Sequence, residues 1–281
     1  MSGKSLNPTS RFTGCADAYA KYRPTYPREA IDATVRGAPS ASGLRIVDVG
    51  AGTGISSRLY AARGCVVVAV EPNAEMRMGG ARHDDGLEAR PTTEEKDTGQ
   101  RPVPPRIKWV DGTAERTGLP DACADLVVCA QAFHWFRPAE ALSEFARILD
   151  ARSPLRRVAL IWNELDDADG ATRGYREHMR RHAVESPQSP WNTPPGEPLM
   201  KPEARAAGFA HPRIERYPSF QELDEEGLVG RARSASYMPR DAERWAAAER
   251  ELRELWREFE EGGVFRLRYQ TEVHLAEKRE A

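Results

Sequence analysis

Val47-Asp48-Val49-Gly50-Ala51-Gly52-Thr53-Gly54 decides how the rest of the chain is read. Before it, Leu44 to Val47 is a short apolar run that reads as a strand. After it, Ile55, Leu59 and Ala62 fall at helical spacing, so Ile55 to Arg63 reads as a helix. A glycine-rich turn therefore joins a strand to a helix N-terminus. Glycines at alternate positions leave the turn without Cβ atoms, so a ligand can approach the backbone closely. The amides at the start of the helix carry partial positive charge and are expected to face a negatively charged ligand group.

Two details sharpen a signal that many nucleotide-binding turns share. The spacing is Asp-x-Gly-x-Gly-x-Gly, which differs from the Gly-x-Gly-x-x-Gly of dinucleotide binders and disfavours a nicotinamide-dependent oxidoreductase. Then Cys65-Val66-Val67-Val68-Ala69-Val70 forms a second apolar strand that ends at Glu71. An acid at the tip of the second strand is placed to accept both ribose hydroxyls of a nucleoside.

The same alternation continues. Asn73 caps a helix running to about Arg82. Ile107 to Asp111, Ala124 to Ala130 and Arg157 to Asn163 read as further strands, and Pro138 to Leu149 as a helix with proline in its first turn. Strand and helix in turn imply a mostly parallel sheet with helices on both faces, which binds ligands at the carboxyl ends of its strands. Gly50 to Gly54, Glu71, Asp111 to Glu115, Gln131 to Phe136 and Asn163 all fall at such ends. Further on, helices are expected at Asp169 to Val184, Leu223 to Ala235 and Asp241 to Glu261. Strands are expected around Arg213 to Tyr217 and from Val264 to Leu275.

Taken together, Val47 to Gly54, Val70-Glu71-Pro72-Asn73-Ala74-Glu75-Met76, Asp111-Gly112-Thr113-Ala114-Glu115 and Gln131-Ala132-Phe133-His134-Trp135-Phe136 resemble the motifs of class I S-adenosylmethionine-dependent methyltransferases. The last motif, with Tyr19, Tyr22-Arg23-Pro24 and Tyr26-Pro27, is similar to the small-molecule branch that includes trans-aconitate methyltransferase-like proteins. The resemblance is dense from Phe12 to Asn163 and thin afterwards. It implies a Rossmann-like, seven-stranded, mostly parallel sheet with a terminal antiparallel strand, helices on both faces and helical lid or cap elements. One domain would span residues 1–281, with an N-terminal lid over 1–36, a surface insertion at 83–105, and cap helices within 164–202 and 221–261.

The resemblance also implies S-adenosyl-L-methionine as cofactor. Tyr22, Arg23, Asp48, Gly50, Ala51, Gly52, Glu71, Pro72, Met76, Thr113, Ala114, Glu115, Ala130, Gln131 and Phe136 are the expected cofactor contacts. His134 and Trp135 are the expected catalytic pair: His134 to take a proton, orient the acceptor or anchor its own loop, and Trp135 chiefly as a wall. Methyl transfer from a sulfonium needs an acceptor held in line with the breaking bond, and an acidic or alcoholic acceptor also needs a base or a dry site. Trp162, Asn163, Tyr175, His178, Trp191, Arg231 and Tyr237 are candidates for the acceptor side, and an arginine there would suit a carboxylate. The acceptor atom stays open among oxygen, nitrogen, carbon and sulfur. So do two other uses of the cofactor: transfer or cyclisation of its amino-carboxypropyl arm, and binding without catalysis.

Charge and cysteine content narrow the partners. The 41 basic and 43 acidic residues leave a net charge of -2 over 281 residues, with no basic stripe for a nucleic acid. No run approaches the length of a membrane span, and the opening residues have no apolar signal core, which leads to the expectation of a soluble, cytoplasmic protein without a membrane partner. The four cysteines, Cys15, Cys65, Cys123 and Cys129, form no Cys-x-x-Cys pair, and no metal site is expected. Oligomeric state is not legible.

Overall fold

The computed structural model describes residues 16–85, 107–184 and 198–280. Five strands, β1 (Arg45–Val49), β2 (Val66–Val70), β3 (Ile107–Val110), β4 (Leu126–Ala130) and β5 (Arg157–Leu165), run parallel to one another. Two long strands, β6 (Phe209–Leu223) and β7 (Phe265–Lys278), complete a seven-stranded sheet of order β3-β2-β1-β4-β5-β7-β6. β7 lies antiparallel to both β5 and β6. The sheet is Rossmann-like, as the motif order implies.

The described helices are α1 (Ala16–Tyr22), α2 (Arg28–Val35), α3 (Ile55–Ala61), α4 (Ala74–Asp85), α5 (Pro138–Ile148), α6 (Gly170–His182), α7 (Pro202–Ala206), α8 (Glu225–Arg233) and α9 (Ala242–Phe259). Phe133–Trp135 adds one short 3-10 turn. Asn73, Asp169, Asp224 and Asp241 each accept a backbone amide three residues on, which fixes where α4, α6, α8 and α9 begin.

β1 and β4 are apolar throughout apart from Arg45 and Asp48, because both faces of the sheet are covered. Val47, Val49, Val127 and Leu160 pack with Leu142 and Phe145 of α5 on one side. Ile46, Val67, Leu126 and Val128 pack with Ile31 of α2 and Tyr60 of α3 on the other. A further apolar cluster, including Tyr175, Leu228, Trp245, Leu252, Phe265 and Leu267, joins α6, α8 and α9 to the near ends of β6 and β7.

The chain leaves β1 for β2 and β3 on one side and returns to β4 on the other. The carboxyl ends of β1 and β4 are thus the topological switch point, where such sheets open a crevice.

Some local expectations need correction. The face of α3 that turns inward is Ser56, Ser57, Tyr60 and Ala61, whereas Ile55 and Leu59 are only half-buried and Ala62, just past the helix, is exposed. The reason is a buried carboxylate: Asp48 accepts the hydroxyls of Ser56 and Ser57, both at 2.6 Å, so two polar residues occupy core-facing positions. α4 continues through Asp85, so the expected insertion at 83–105 does not begin at residue 83; most of it lies outside the described residues. β5 runs two residues past Asn163, to Leu165, and β6 is far longer than Arg213 to Tyr217.

Candidate active site

A cavity of about 380 Å³ opens at the carboxyl ends of β1, β2 and β4. Gly50, Ala51, Gly52, Glu71, Pro72, Met76, Thr113, Ala114, Glu115, Ala130, Gln131 and Phe136 line it, together with Tyr19, Tyr26, Ile55, Ser56, Ala132, Trp135 and Arg137. Its volume falls in the range of small-molecule sites.

The glycine turn has the geometry that its residues suggest. Gly50 (φ 72°), Gly52 (φ 59°) and Gly54 (φ 79°) are all left-handed. At Gly50 the space is also taken, because an added Cβ would lie 2.7 Å from Ala132 Cβ and 3.0 Å from the Phe136 ring. A side chain at this position would press into the wall of the cavity.

Four amides of the turn are already engaged within the protein. The Gly50 and Ala51 amides donate to the Val70 carbonyl, at 2.9 and 3.2 Å, and the Gly54 amide donates to Ala51 O at 2.8 Å. The Gly52 amide donates to Glu71 Oε2 at 2.9 Å. These bonds hold the loop in place while the turn offers close approach; the amides that open α3, where a negative ligand group is expected, are not among the donors they occupy.

Glu71 is only 8 % exposed. Its second oxygen accepts the Asn73 amide at 2.8 Å. Burial pushes its carboxyl above the usual range, while the Asn73 and Gly52 amides and the Arg77 guanidinium pull the other way. Each carboxylate oxygen has two lone pairs, so the pair retains capacity for two ligand hydroxyls. The residues present therefore fit a nucleoside: an acceptor pair at the tip of β2, a glycine cradle beside it, and the side chains of Met76 and Ala114 on the cavity wall.

Three expected cofactor contacts lie elsewhere. Asp48 is fully buried beneath the turn and reaches the cavity only through Ser56; its Oδ1 has no hydrogen-bond partner among the described residues. Tyr22 packs against α8, where a Cβ on Gly230 would lie 2.5 Å from its ring, and its carbonyl accepts Gln221 Nε2 at 2.9 Å. Tyr19, one turn earlier on α1, is the tyrosine that faces the cavity. Arg23 lines a neighbouring space.

That space is a second cavity of about 110 Å³, formed by Tyr19, Arg23, Gln131, His134, Trp135, Asn163, Glu164, Leu165, Arg231, Ser236, Tyr237 and Tyr269. It shares Tyr19, Gln131 and Trp135 with the first. The expected catalytic residues thus separate: Trp135 stands between the cavities and His134 belongs to the second alone. Asn163, Arg231 and Tyr237, expected on the acceptor side, line this space. Trp162 does not; it is buried edge-on against His274 at 5.2 Å. Tyr175 is buried behind the wall, His178 lines a separate groove, and Trp191 falls outside the described residues.

The second cavity is cationic. Arg231 is 7 % exposed, and its Nε has no hydrogen-bond partner among the described residues. Arg23 stacks on Tyr19, with its carbon 4.8 Å from the ring centre, and donates to Ser234 O at 3.2 Å; its Nε is likewise unpartnered. Neither is paired with a carboxylate among the described residues. A buried guanidinium without a counter-charge is costly, so the cavity favours an anion. Burial, and next the charge of Arg23, pushes His134 down to about 4, which leaves it neutral at pH 7. Burial pushes Glu164 up to about 7, against the pull of Arg176. Glu164 has no place among the residues expected from sequence, because β5 was read as ending at Asn163.

Residues 47–153 match a family model described as a methyltransferase domain. This chain carries a methyltransferase domain. Over 170 residues it is 36% identical to proteins described as uncharacterized methyltransferases in Mycobacterium bovis and Mycobacterium tuberculosis. The aligned part covers 60% of this chain and 59% of those relatives, so the chain spans under two thirds of their length. A methyltransferase-like protein of Schizosaccharomyces pombe is 33% identical over 123 residues, 43% of this chain and 39% of its own. Among solved structures, the phosphoethanolamine N-methyltransferase 2 of Haemonchus contortus, in complex with S-adenosyl-L-methionine, superposes with a TM-score of 0.52 at 14% identity, over 94% of this chain and 56% of that one. The YcgJ protein of Bacillus subtilis superposes at 0.50 and 17% identity, over 91% of this chain and all of that one. At such identities the structural likeness speaks for the fold. Within the methyltransferase domain, Gly50, Ala51, Gly52, Glu71, Thr113, Ala114, Glu115, Gln131, Ala132, Trp135 and Phe136 supply most of the larger cavity. The arginines of the smaller one lie outside it, on α8 and after α1.

Proposed function

We propose that the protein transfers a methyl group from S-adenosyl-L-methionine to a small acidic acceptor, with the cofactor in the larger cavity and the acceptor in the smaller. The observation that carries this reading is the shared wall: Tyr19, Gln131 and Trp135 line both spaces, so their contents meet across these three side chains.

When bound, the cofactor supplies a methyl group made electrophilic by its sulfonium charge. The chain supplies position and surroundings. Glu71 accepts the ribose hydroxyls. Trp135 and Phe136 keep water from the shared wall and present aromatic faces, which attract cations. Arg23 and Arg231 hold the acceptor's acidic group by charge-assisted hydrogen bonds. Glu164, which gives up its proton near pH 7, is matched to taking a proton from an acceptor hydroxyl or amine. His134 is too weak a base for that task at neutral pH and serves to orient the acceptor.

The test starts with calorimetric titration of the purified chain with S-adenosyl-L-methionine, S-adenosylhomocysteine and NAD. Micromolar binding of the two sulfur nucleosides and none of NAD is the expected result. A panel of small carboxylic acids and their amides follows, read by mass for S-adenosylhomocysteine and methylated product. No binding of either sulfur nucleoside would sink the cofactor assignment. Binding with methyl transfer to the amides as readily as to the acids would sink the role of the arginines.

A further inference from the structure

The expectation of no metal rested on cysteine spacing; the histidines of α6 offer a different set of candidate ligands. His178 and His182 stand one turn apart on α6, with ring centres 4.6 Å apart. Glu251 of α9 faces both: its Oε2 lies 2.9 Å from His182 Nε2 and 3.7 Å from His178 Nδ1. One ligand atom from each residue lies within 4.8 Å of the other two. Bonds of about 2.0–2.2 Å to a tetrahedral ion place such atoms roughly 3.3–3.6 Å apart, so small side-chain rotations suffice.

Two further observations separate this cluster from a chance surface group. His178 is 4 % exposed, and its Nε2 has no hydrogen-bond partner among the described residues. A buried ring nitrogen without a hydrogen bond costs free energy that a ligand can return, and Nδ1, the nitrogen that faces Glu251, stands at 3.7 Å, beyond hydrogen-bond distance. The helices are also built to meet here. A Cβ on Gly174 would lie 2.8 Å from Leu255 Cδ1, so the glycine lets α9 close on α6. His178 and Glu251 each sit four residues, one helical turn, from that contact. The groove in front is open to solvent; Glu177, Glu254 and Glu258, with Glu251, outnumber Arg173 and Arg181 in its lining, and that acidic excess favours entry of a cation.

We infer that His178, His182 and Glu251 bind a first-row divalent cation of the zinc class, clamping α6 to α9. Two imidazoles and one carboxylate form a ligand set suited to zinc, with a fourth position left for water. Arg181 Nη1 now lies 2.9 Å from Glu251 Oε2 and competes with the ion; it is largely exposed and free to swing away. The clamp lies behind the acceptor cavity, since Tyr175, one turn before His178, is buried next to Arg231. The inference is independent of the reaction proposed above.

The test is titration of the tag-free, chelator-treated full chain with zinc chloride at pH 7.5, followed by calorimetry and thermal denaturation. One zinc per chain and a raised thermal midpoint are expected. His182→Ala and Glu251→Gln change partly exposed side chains, so both variants should fold; each should weaken zinc binding at least fivefold. Arg181→Ala should tighten it. No zinc uptake at micromolar concentrations, or a loss of less than fivefold in either ligand variant, would overturn the site. Either result is read without cofactor or acceptor and leaves the methyl-transfer reading to its own test.

Discussion

Gln131 Nε2 donates to the carbonyl oxygen of Asn163 at 3.1 Å, from a residue whose own backbone is left-handed at φ 54°. The bond ties the end of β4 to β5 where the two cavities share a wall. A left-handed conformation costs a residue with a Cβ about 1 kcal/mol, so the wall is held under strain. Asn163 anchors the same point to the N-terminal segment, donating to Thr25 O at 3.0 Å and accepting Thr271 Oγ1 at 2.6 Å.

Gln131→Gly separates strain from contact. Glycine relieves the left-handed backbone, while the hydrogen bond, worth about 1 kcal/mol, is lost. The thermal midpoint should stay within about 2 °C of the parent. Methyl transfer should fall at least tenfold, because the divider between cofactor and acceptor is gone. Unchanged turnover would remove Gln131 from the site.

Glu71→Gln tests the nucleoside pocket. The neutral amide keeps only one acceptor oxygen for the Gly52 and Asn73 amides and the ligand hydroxyls together. Loss of charge-assisted bonds worth about 1.5–3 kcal/mol predicts cofactor binding weaker by roughly tenfold to a hundredfold in calorimetry. Binding within threefold of the parent would mean that the ligand's hydroxyls are held elsewhere.

Arg231→Met should move stability and function in opposite directions. The guanidinium is buried without a carboxylate partner, so an apolar side chain of similar length should raise the thermal midpoint. The same change should lower kcat/KM for an acidic acceptor by about tenfold to a hundredfold and leave cofactor affinity alone. A variant that is both less stable and fully active would place the arginine in the scaffold.

Glu164→Gln gives a signed pH dependence. The carboxyl's affinity for a proton rises on folding, from an ordinary 4.5 to about 7. Its contribution to stability is therefore complete below about pH 4.5 and is lost as pH rises through 7. A change of that size corresponds to about 3 kcal/mol as an upper figure. The glutamine variant should match the parent at pH 4.5 and melt higher at pH 8. In turnover, the parent's rate should climb through pH 7, and the limb should vanish in Glu164→Gln and persist in His134→Gln, since His134 is already neutral above about pH 5.

The cofactor side of the site was legible because it is local. A strand, a glycine turn and an acid at the next strand's tip are short patterns, and parallel strands bring their ends together by topology alone. The acceptor side was not. Arg231 and Arg233 read alike in sequence; folding buries the first in the cavity wall and leaves the second exposed over the Trp245 ring, at 5.2 Å. Glu164 went unread although it follows Asn163 directly, since an acid near a strand end usually faces water.

By itself, the sequence determined the order of the parallel sheet's elements, the glycine cradle and the acid at the tip of β2, because backbone sterics and apolar periodicity act over a few residues. Only the tertiary structure decided which arginines lose their water, which face of α3 turns inward and which histidines of α6 meet Glu251. Burial and charge pairing depend on neighbours up to about 200 residues away, as between Arg23 and Ser234. No local pattern carries that information.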